Sequence, residues 1–127
     1  MEINLLCQSR YPVGRKFVIE KAKKFLEEKK LESASISIFV CGRRKMRELS
    51  RRYLRVVEDH EVLSFPYVEV KTDFVDFPDG ILRLGDIAVC FPLAQQQAMI
   101  ENKMTDEVIV ELVEHGILHL LGEHHPE

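Results

Sequence analysis

Apolar and polar residues follow two different periods along this chain, and the two periods separate strands from helices. Short apolar or alternating runs predict four strands, at residues 3–8, 34–41, 62–70 and 84–90. Apolar residues at helical spacing predict four helices, at residues 14–30, within 43–55, from Pro92 to about Asn102, and from Thr105 onward. No repeat, linker or low-complexity segment interrupts them, so residues 1–127 are predicted to form a single α/β domain.

The second predicted helix and the longest predicted loop are both rich in polar residues. In the helix, Met46, Leu49 and Tyr53 recur at helical spacing and are expected to face the core. Between the last two predicted strands the sequence predicts a turn-rich loop or hairpin tip, containing Asp73, Asp76, Pro78 and Asp79-Gly80.

The last predicted helix has an apolar face and a face that carries potential chemistry. Thr105 is expected to cap it, with Asp106 and Glu107 in the first turn, where carboxylates favour the helix dipole. Its buried stripe is predicted to comprise Ile109, Leu112, Val113, Gly116, Ile117 and Leu120, and its other face Glu111, His115 and His119.

Four of the five histidines lie between residues 115 and 125, in the spacing H-x3-H-x2-G-x2-H. Histidines four apart lie one turn above each other on a helix, so His115 and His119 can reach one ion. Gly122 tolerates the positive φ that turns the chain back and lets His125 supply a third nitrogen, with neighbouring His124 as a possible substitute. Three imidazoles leave one coordination position open, which is typical of catalytic zinc.

Composition and cysteine usage set the broad class of the protein. No apolar run approaches the roughly 20 residues of a membrane-spanning helix, and the N-terminus does not resemble a signal peptide. Cys7, Cys41 and Cys90 are far apart and lie in apolar runs. They are therefore expected to be reduced thiols of a cytoplasmic protein that contacts no membrane.

The net charge of −3 hides two halves of opposite sign. Residues 1–55 carry 15 Lys and Arg against 6 Asp and Glu, whereas residues 56–127 carry 3 against 15. A basic half beside a metal-bearing half suits a polyanionic substrate. The planar guanidinium fork suits phosphates, so RNA binding is predicted for Arg43, Arg44, Arg47, Arg51 and Arg52.

Four blocks of this sequence resemble the YbeY family of bacterial metal-dependent endoribonucleases. The run from His115 to His125 matches the family signature H-G-x-L-H-L-x-G-x-x-H. The segments Val62-Leu63-Ser64-Phe65-Pro66 and Leu84-Gly85-Asp86-Ile87 resemble its V-L-S-F-P and L-G-D-[IL] strands. The helical run from Arg47 to Tyr53 fits R-x-L-N-x-x-Y, so the resemblance extends over essentially the whole chain.

The resemblance implies a mixed four-stranded sheet packed against helices, with one zinc ion held by His115, His119 and His125. It also implies hydrolysis of single-stranded RNA in the maturation of the 16S ribosomal RNA 3′ end and in ribosome quality control. The implied partners are the 16S rRNA precursor and either small-subunit ribosomal proteins or a ribosome-associated GTPase.

Three departures from the family pattern bear on this expectation. The family arginine that follows the tyrosine is replaced by Leu54, and Arg55 comes one residue later, where a shifted loop would restore the charge. Before V-L-S-F-P, His60-Glu61 stands in place of T-[DN]. The chain given ends at Glu127, two residues after His125, so the third ligand is expected on a tail that frays.

The general base of a hydrolase at this site has to come from outside the histidine motif. Metzincin proteases share the histidine spacing but carry a glutamate after the first histidine, where this chain has Gly116. The remaining candidates are Asp86, Glu111 and Glu61, with Arg55 as the cation that stabilises transition-state charge. Two other classes stay open: a protease-like metal hydrolase, and a ribosome-binding or RNA-binding module whose metal site is structural or weakly active.

Overall fold

The computed structural model describes residues 2–8, 10–56, 58–67 and 81–122. Four strands and four helices occur along the chain in the order β-α-β-α-β-β-α-α. They are β1 (Glu2–Cys7), α1 (Arg15–Glu28), β2 (Ala34–Cys41), α2 (Arg43–Leu54), β3 (Val62–Pro66), β4 (Leu82–Cys90), α3 (Phe91–Glu101) and α4 (Thr105–Leu120).

The strands form one mixed sheet in the order β1-β2-β4-β3, which confirms the predicted fold class. Strands β1, β2 and β4 are parallel; α1 connects β1 to β2, whereas both α2 and β3 lie between β2 and β4 along the chain. Strand β3 runs antiparallel to β4 and stands at the edge of the sheet, with Ser64 opposite Ile87 and Phe65 opposite Asp86. Successive residues along each strand point to opposite faces of the sheet.

Helices cover the two faces of the sheet unequally. One face packs against α1, α3 and α4 and forms the main core, with Ile38, Ile87 and Ile117 almost completely buried. Among the described residues, α2 is the main helix on the other face, in a smaller cluster around Met46 and Ala88 that Leu93 of α3 also contacts. Within the described residues α2 does not cover this whole face, and Leu6, Tyr53 and Tyr67 are exposed beside it.

The start of α4 and one residue of α2 differ from the expectations drawn from the sequence. Met104, not Thr105, is the N-cap residue of α4, and its backbone N–H donates to Glu107 Oε1 at 3.0 Å. Tyr53 is 57% exposed instead of facing the core, although its ring contacts Phe65 with 5.0 Å between centroids. The predicted loop around Asp73 and Asp76 lies outside the described residues, as do the last residues of the strand predicted at 62–70.

The three cysteines are free thiols, as the sequence predicts. Cys41 and Cys90 are buried partners in the register of β2 and β4, whereas Cys7 is partly exposed. Among the helices that the structure describes, none combines the length and the apolar composition needed to cross a membrane.

Candidate functional site

Helix α4 brings His115 and His119 together at the surface, one helical turn apart. Their Nε2 atoms lie 3.0 Å from each other, and the ring centroids are 4.6 Å apart. Two imidazole nitrogens bound tetrahedrally to one zinc ion are about 3.3 Å apart, given Zn–N bonds of about 2.0–2.1 Å. The observed pair is within a few tenths of an ångström of that separation, so these two donors fit a metal ion.

The histidine pair opens onto a groove along the edge strand β3. The groove measures about 340 Å³, and its remaining lining comes from Val62, Leu63, Ser64 and Pro66. A substrate entering this groove would lie between the β3 edge and the two imidazoles. The groove therefore gives an extended chain access to the predicted metal site.

Close packing of α4 on the sheet sets the position of the histidine-bearing turn. The Ser64 hydroxyl donates to the Gly116 carbonyl oxygen at 3.2 Å, which joins β3 to α4 between the two histidines. A Cβ added at Gly116 would come within 2.9 Å of Ile87 Cγ2 and 3.1 Å of Ser64 Oγ. Glycine at this position thus permits an approach that any larger residue would disturb.

The end of α4 agrees with the turn that the sequence predicts. Gly122 has a φ of +81°, which confirms that the chain leaves the helix through a left-handed residue. His125, the predicted third ligand, and His124 lie outside the described residues. Within the described part of the chain, no three His, Cys, Asp or Glu side chains are grouped so that they could hold a metal.

The predicted catalytic carboxylates lie in different surroundings. Glu111 is on α4, one turn before His115, and forms an ion pair with Lys103. This carboxylate and Glu101 raise the pKa of the Lys103 ammonium. Asp86 lies opposite Phe65 and therefore on the α2 face of the sheet, whereas Ser64 and the histidine groove lie at the other face. The structure does not bring Asp86 and the histidine pair together on one face.

Arg55 forms the end of α2 instead of a loop displaced from it. It is the C-cap residue, its φ of 62° is in the left-handed region, and its N–H donates to Arg51 O at 3.2 Å. The side chain is exposed, on the helix that packs against the second face of the sheet. Its role as the substitute for the family arginine stays a prediction.

The arginines of α2 form a strongly cationic surface, in which one arginine has a fixed partner. Arg47 Nε donates to Asp59 Oδ1 at 2.7 Å, and this interaction lowers the pKa of the Asp59 carboxyl. The other predicted RNA-binding side chains form no ion pair with the described residues. They are Arg43, Arg44, Arg51 and Arg52.

Two shallow grooves follow this cationic surface. One of about 430 Å³ is lined by Arg44, Arg47, Glu48 and Arg51. The second, of about 550 Å³, lies between the N-terminal end of α2 and the loop after β1, where Arg10 joins the arginines of α2. Arg10 could not be predicted as part of this surface, because it is distant from α2 in sequence and approaches that helix only in the folded chain.

The described site combines a helical histidine pair at the edge of a mixed α/β sheet with an arginine-rich helix on the same sheet. Comparison with known families gives a more specific assignment. The model of the family described as endoribonuclease YbeY matches residues 8–127. The chain therefore belongs to the endoribonuclease YbeY family, a family of hydrolases.

Individual relatives agree with this assignment. The chain is 29% identical over 137 residues to endoribonuclease YbeY of Dehalococcoides mccartyi strain CBDB1, with 100% of this chain and 82% of the relative covered. It is 36% identical over 115 residues to endoribonuclease YbeY of Caldicellulosiruptor bescii, covering 87% of this chain and 70% of the relative. The solution structure of Thermotoga maritima TM1509 has a similar fold, with a TM-score of 0.60 and 26% identity, over 98% of this chain and 75% of that protein.

Proposed function

We propose that this protein is a zinc-dependent endoribonuclease that cuts single-stranded RNA. The observation that carries the proposal is the pair of Nε2 atoms 3.0 Å apart on α4, facing the groove along β3. Membership of the endoribonuclease YbeY family supports RNA as the substrate. The unpaired arginines of α2 support the same class of substrate, because they suit a phosphate backbone.

The proposed zinc ligands are His115, His119 and His125. A zinc ion held by three neutral imidazoles supplies Lewis acidity toward a phosphate oxygen and lowers the pKa of a bound water. The protein's own contribution is to hold the phosphate beside this site. Arg55 is the proposed cation for the charge that develops on the phosphate, and Glu111 or Asp86 the proposed proton acceptor.

Glu111 is the better placed of the two carboxylates, because it shares α4 with the histidines. Its ion pair with Lys103 would have to open before it could accept a proton. Asp86 would have to act from the other face of the sheet, which makes it the weaker candidate for this role. Gly116 can neither accept nor donate a proton through a side chain, and this disfavours the alternative of a metalloprotease.

For the biological setting we propose maturation of the 16S ribosomal RNA 3′ end and quality control of ribosomes in the cytoplasm. The proposed partners are the 16S rRNA precursor and a small-subunit ribosomal protein or a ribosome-associated GTPase. The support for this setting is the family resemblance together with the charge distribution, in which residues 1–55 carry 15 basic and 6 acidic side chains.

The decisive experiment is cleavage of a single-stranded, 3′-extended 16S RNA fragment by zinc-loaded protein and by the His119→Ala variant. Cleavage by the wild type that is lost in His119→Ala is expected, because one of two paired donors is removed. His60→Gln is the matched control, since it removes an imidazole away from the groove. Binding of the fragment without cleavage, at full zinc occupancy, would instead favour an RNA-binding module with a structural metal site.

A further inference from the structure

The face of the sheet that packs against α2 contains a cleft separate from the histidine groove, and Asp86, the weaker of the two proposed proton acceptors, lines it. It measures about 800 Å³ and is bounded by the sheet on one side and by the last turn of α2 on the other. Its most exposed apolar side chains are Leu6 at 66%, Tyr67 at 63% and Tyr53 at 57%. Large apolar groups with this exposure, gathered in one cleft, indicate a binding surface.

The tyrosine on α2 is held in an orientation suited to stacking. Tyr53 contacts Phe65 with 5.0 Å between ring centroids and an interplanar angle of 54°. Phe65 is itself partly buried against the smaller core cluster, so the rigid sheet supports the Tyr53 ring from one side. More than half of Tyr53 remains exposed and is available to a planar ligand.

Cations lie on the helix next to the cleft, although none of them lines it. Arg51, Arg52 and Arg55 flank Tyr53 and Leu54 in sequence at the end of α2, and Arg51 lines the neighbouring groove with Arg44 and Arg47. All three are exposed, and none forms an ion pair with another described residue. A ligand that offers a planar apolar group to the cleft and negative charge to this helix end has the chemistry of a nucleotide unit of RNA.

One carboxylate interrupts the otherwise apolar lining. Asp86 is exposed on β4, between Ser37 of β2 and Phe65 of β3 in the register of the sheet. Within the part of the chain that the structure describes, no hydrogen bond or ion pair engages this carboxylate. A carboxylate accepts hydrogen bonds only, so it selects a ligand edge that carries N–H donors.

We propose that this cleft binds one unpaired nucleobase of the RNA, which stacks on Tyr53 and donates its Watson–Crick N–H groups to Asp86. This inference rests on the proposed function, because it assumes that RNA is the ligand. Guanine is the expected base, since its N1–H and N2–H groups are adjacent donors that match the two carboxylate oxygens. A base within a duplex has this edge occupied, so the cleft also accounts for a preference for single strands.

The test measures binding, using the full-length His119→Ala chain so that RNA is not cut. Fluorescein-labelled U5 is compared with the same oligonucleotide carrying G, A or C at its centre, by fluorescence anisotropy at fixed salt. The guanine oligonucleotide is expected to bind at least about fivefold more tightly than U5, the lower end for a bidentate base contact. Asp86→Asn should abolish this preference, because the amide replaces one acceptor oxygen with a donor.

Three further variants separate recognition of the base from the effects of stacking and charge. Tyr53→Leu is expected to weaken all four oligonucleotides by about fivefold or more, with Tyr53→Phe restoring binding, because stacking needs the ring and not the hydroxyl. Glu32→Gln is the control for the charge change, since Glu32 is exposed and lies outside the cleft. Unchanged thermal unfolding of each variant verifies the fold.

The outcomes distinguish this inference from the function on which it rests. Equal affinity for all four oligonucleotides, or a guanine preference that survives in Asp86→Asn, would overturn the base site while leaving the RNA-cleavage assay unaffected. RNA binding that depends on the α2 arginines but not on Tyr53 would likewise overturn it. A chain that neither binds these oligonucleotides nor cuts the 16S fragment would overturn both proposals.

Discussion

Gly116 combines a chemical and a steric requirement in one residue. In the related histidine spacing of metzincins this position carries the catalytic glutamate, so its glycine argues for a different hydrolase. The same glycine lets α4 approach Ile87 and Ser64 more closely than a Cβ would allow. The first property is readable from the sequence, whereas the second requires the packing of α4 on β3 and β4.

Ser64 is the residue that couples the edge strand to the histidine-bearing turn. Replacing Ser64 by Ala removes the hydrogen bond to Gly116 O and is expected to lower the free energy of unfolding by about 0.5–1.5 kcal/mol. Because this bond lies between the two histidines, zinc affinity should fall as well. Chemical denaturation and competition with a chelating dye measure the two effects.

Ser35→Ala is the matched control, because Ser35 is a half-buried strand serine remote from α4. It should leave zinc affinity unchanged. A Ser64→Ala variant with wild-type zinc affinity would show that the hydrogen bond contributes to stability alone.

At the scale of elements, α2 has separate packing and solvent-facing sides. Met46 is buried in the smaller core, while Arg51 and Arg52 are exposed on the last turn. The sequence predicts this helix well, because its apolar residues recur at helical spacing. The prediction that Tyr53 faces the core is wrong, because helical spacing alone does not show that the end of α2 borders the cleft on the sheet.

Replacing Arg51 and Arg52 together by Gln should weaken RNA binding and flatten its dependence on salt. Each lost phosphate contact with single-stranded RNA reduces the slope of log affinity against log salt by about 0.7. Anisotropy titrations at several salt concentrations measure this slope. The control is Lys23→Gln with Lys24→Gln on α1, which removes equal charge from another helix. Identical slopes for the two double variants would contradict a specific role of α2.

The relative positions of the carboxylates and the histidines belong to the whole molecule. Sequence spacing predicts that His115 and His119 meet, because both lie on one helix. It does not predict that Asp86 lies on the opposite face from them, since that depends on the register between β3 and β4. Nor does it predict the Lys103–Glu111 pair, which forms where the turn between α3 and α4 meets the first turns of α4.

The histidine groove and the arginines of α2 lie on different surfaces, and one RNA molecule would have to contact both. The histidine groove lies along β3 on the α4 side, and the arginines lie on α2 at the other face. Strand β3 is the last strand of the described sheet on this side, so an RNA that contacted both surfaces would have to pass over it. Duplex RNA is too wide and stiff for such a path, which agrees with the proposed single-strand specificity.

The buried cysteine pair at the ends of the two central strands is expected to make the stability of the fold sensitive to alkaline pH. Burial, with Cys90 as a lesser cause, raises the pKa of the Cys41 thiol from 9.0 to about 12. The unfolded chain releases this proton above pH 9.0, whereas the folded chain retains it up to about pH 12. Stability from the neutral thiol is therefore complete below pH 9.0 and is lost as pH rises toward 12.

Urea denaturation between pH 8 and pH 11 should accordingly show a stability that declines more steeply in the wild type than in Cys41→Ala. One titrating group contributes a slope of at most about 1.4 kcal/mol per pH unit. Cys41→Ala will be less stable at every pH because its buried side chain is truncated, so the slope and not the midpoint is the informative quantity. Cys7→Ala, which removes a partly exposed thiol outside the buried pair, is the control for the loss of a cysteine. Parallel pH profiles for the wild type and Cys41→Ala would mean that the thiol ionises in the folded protein as readily as in the unfolded chain.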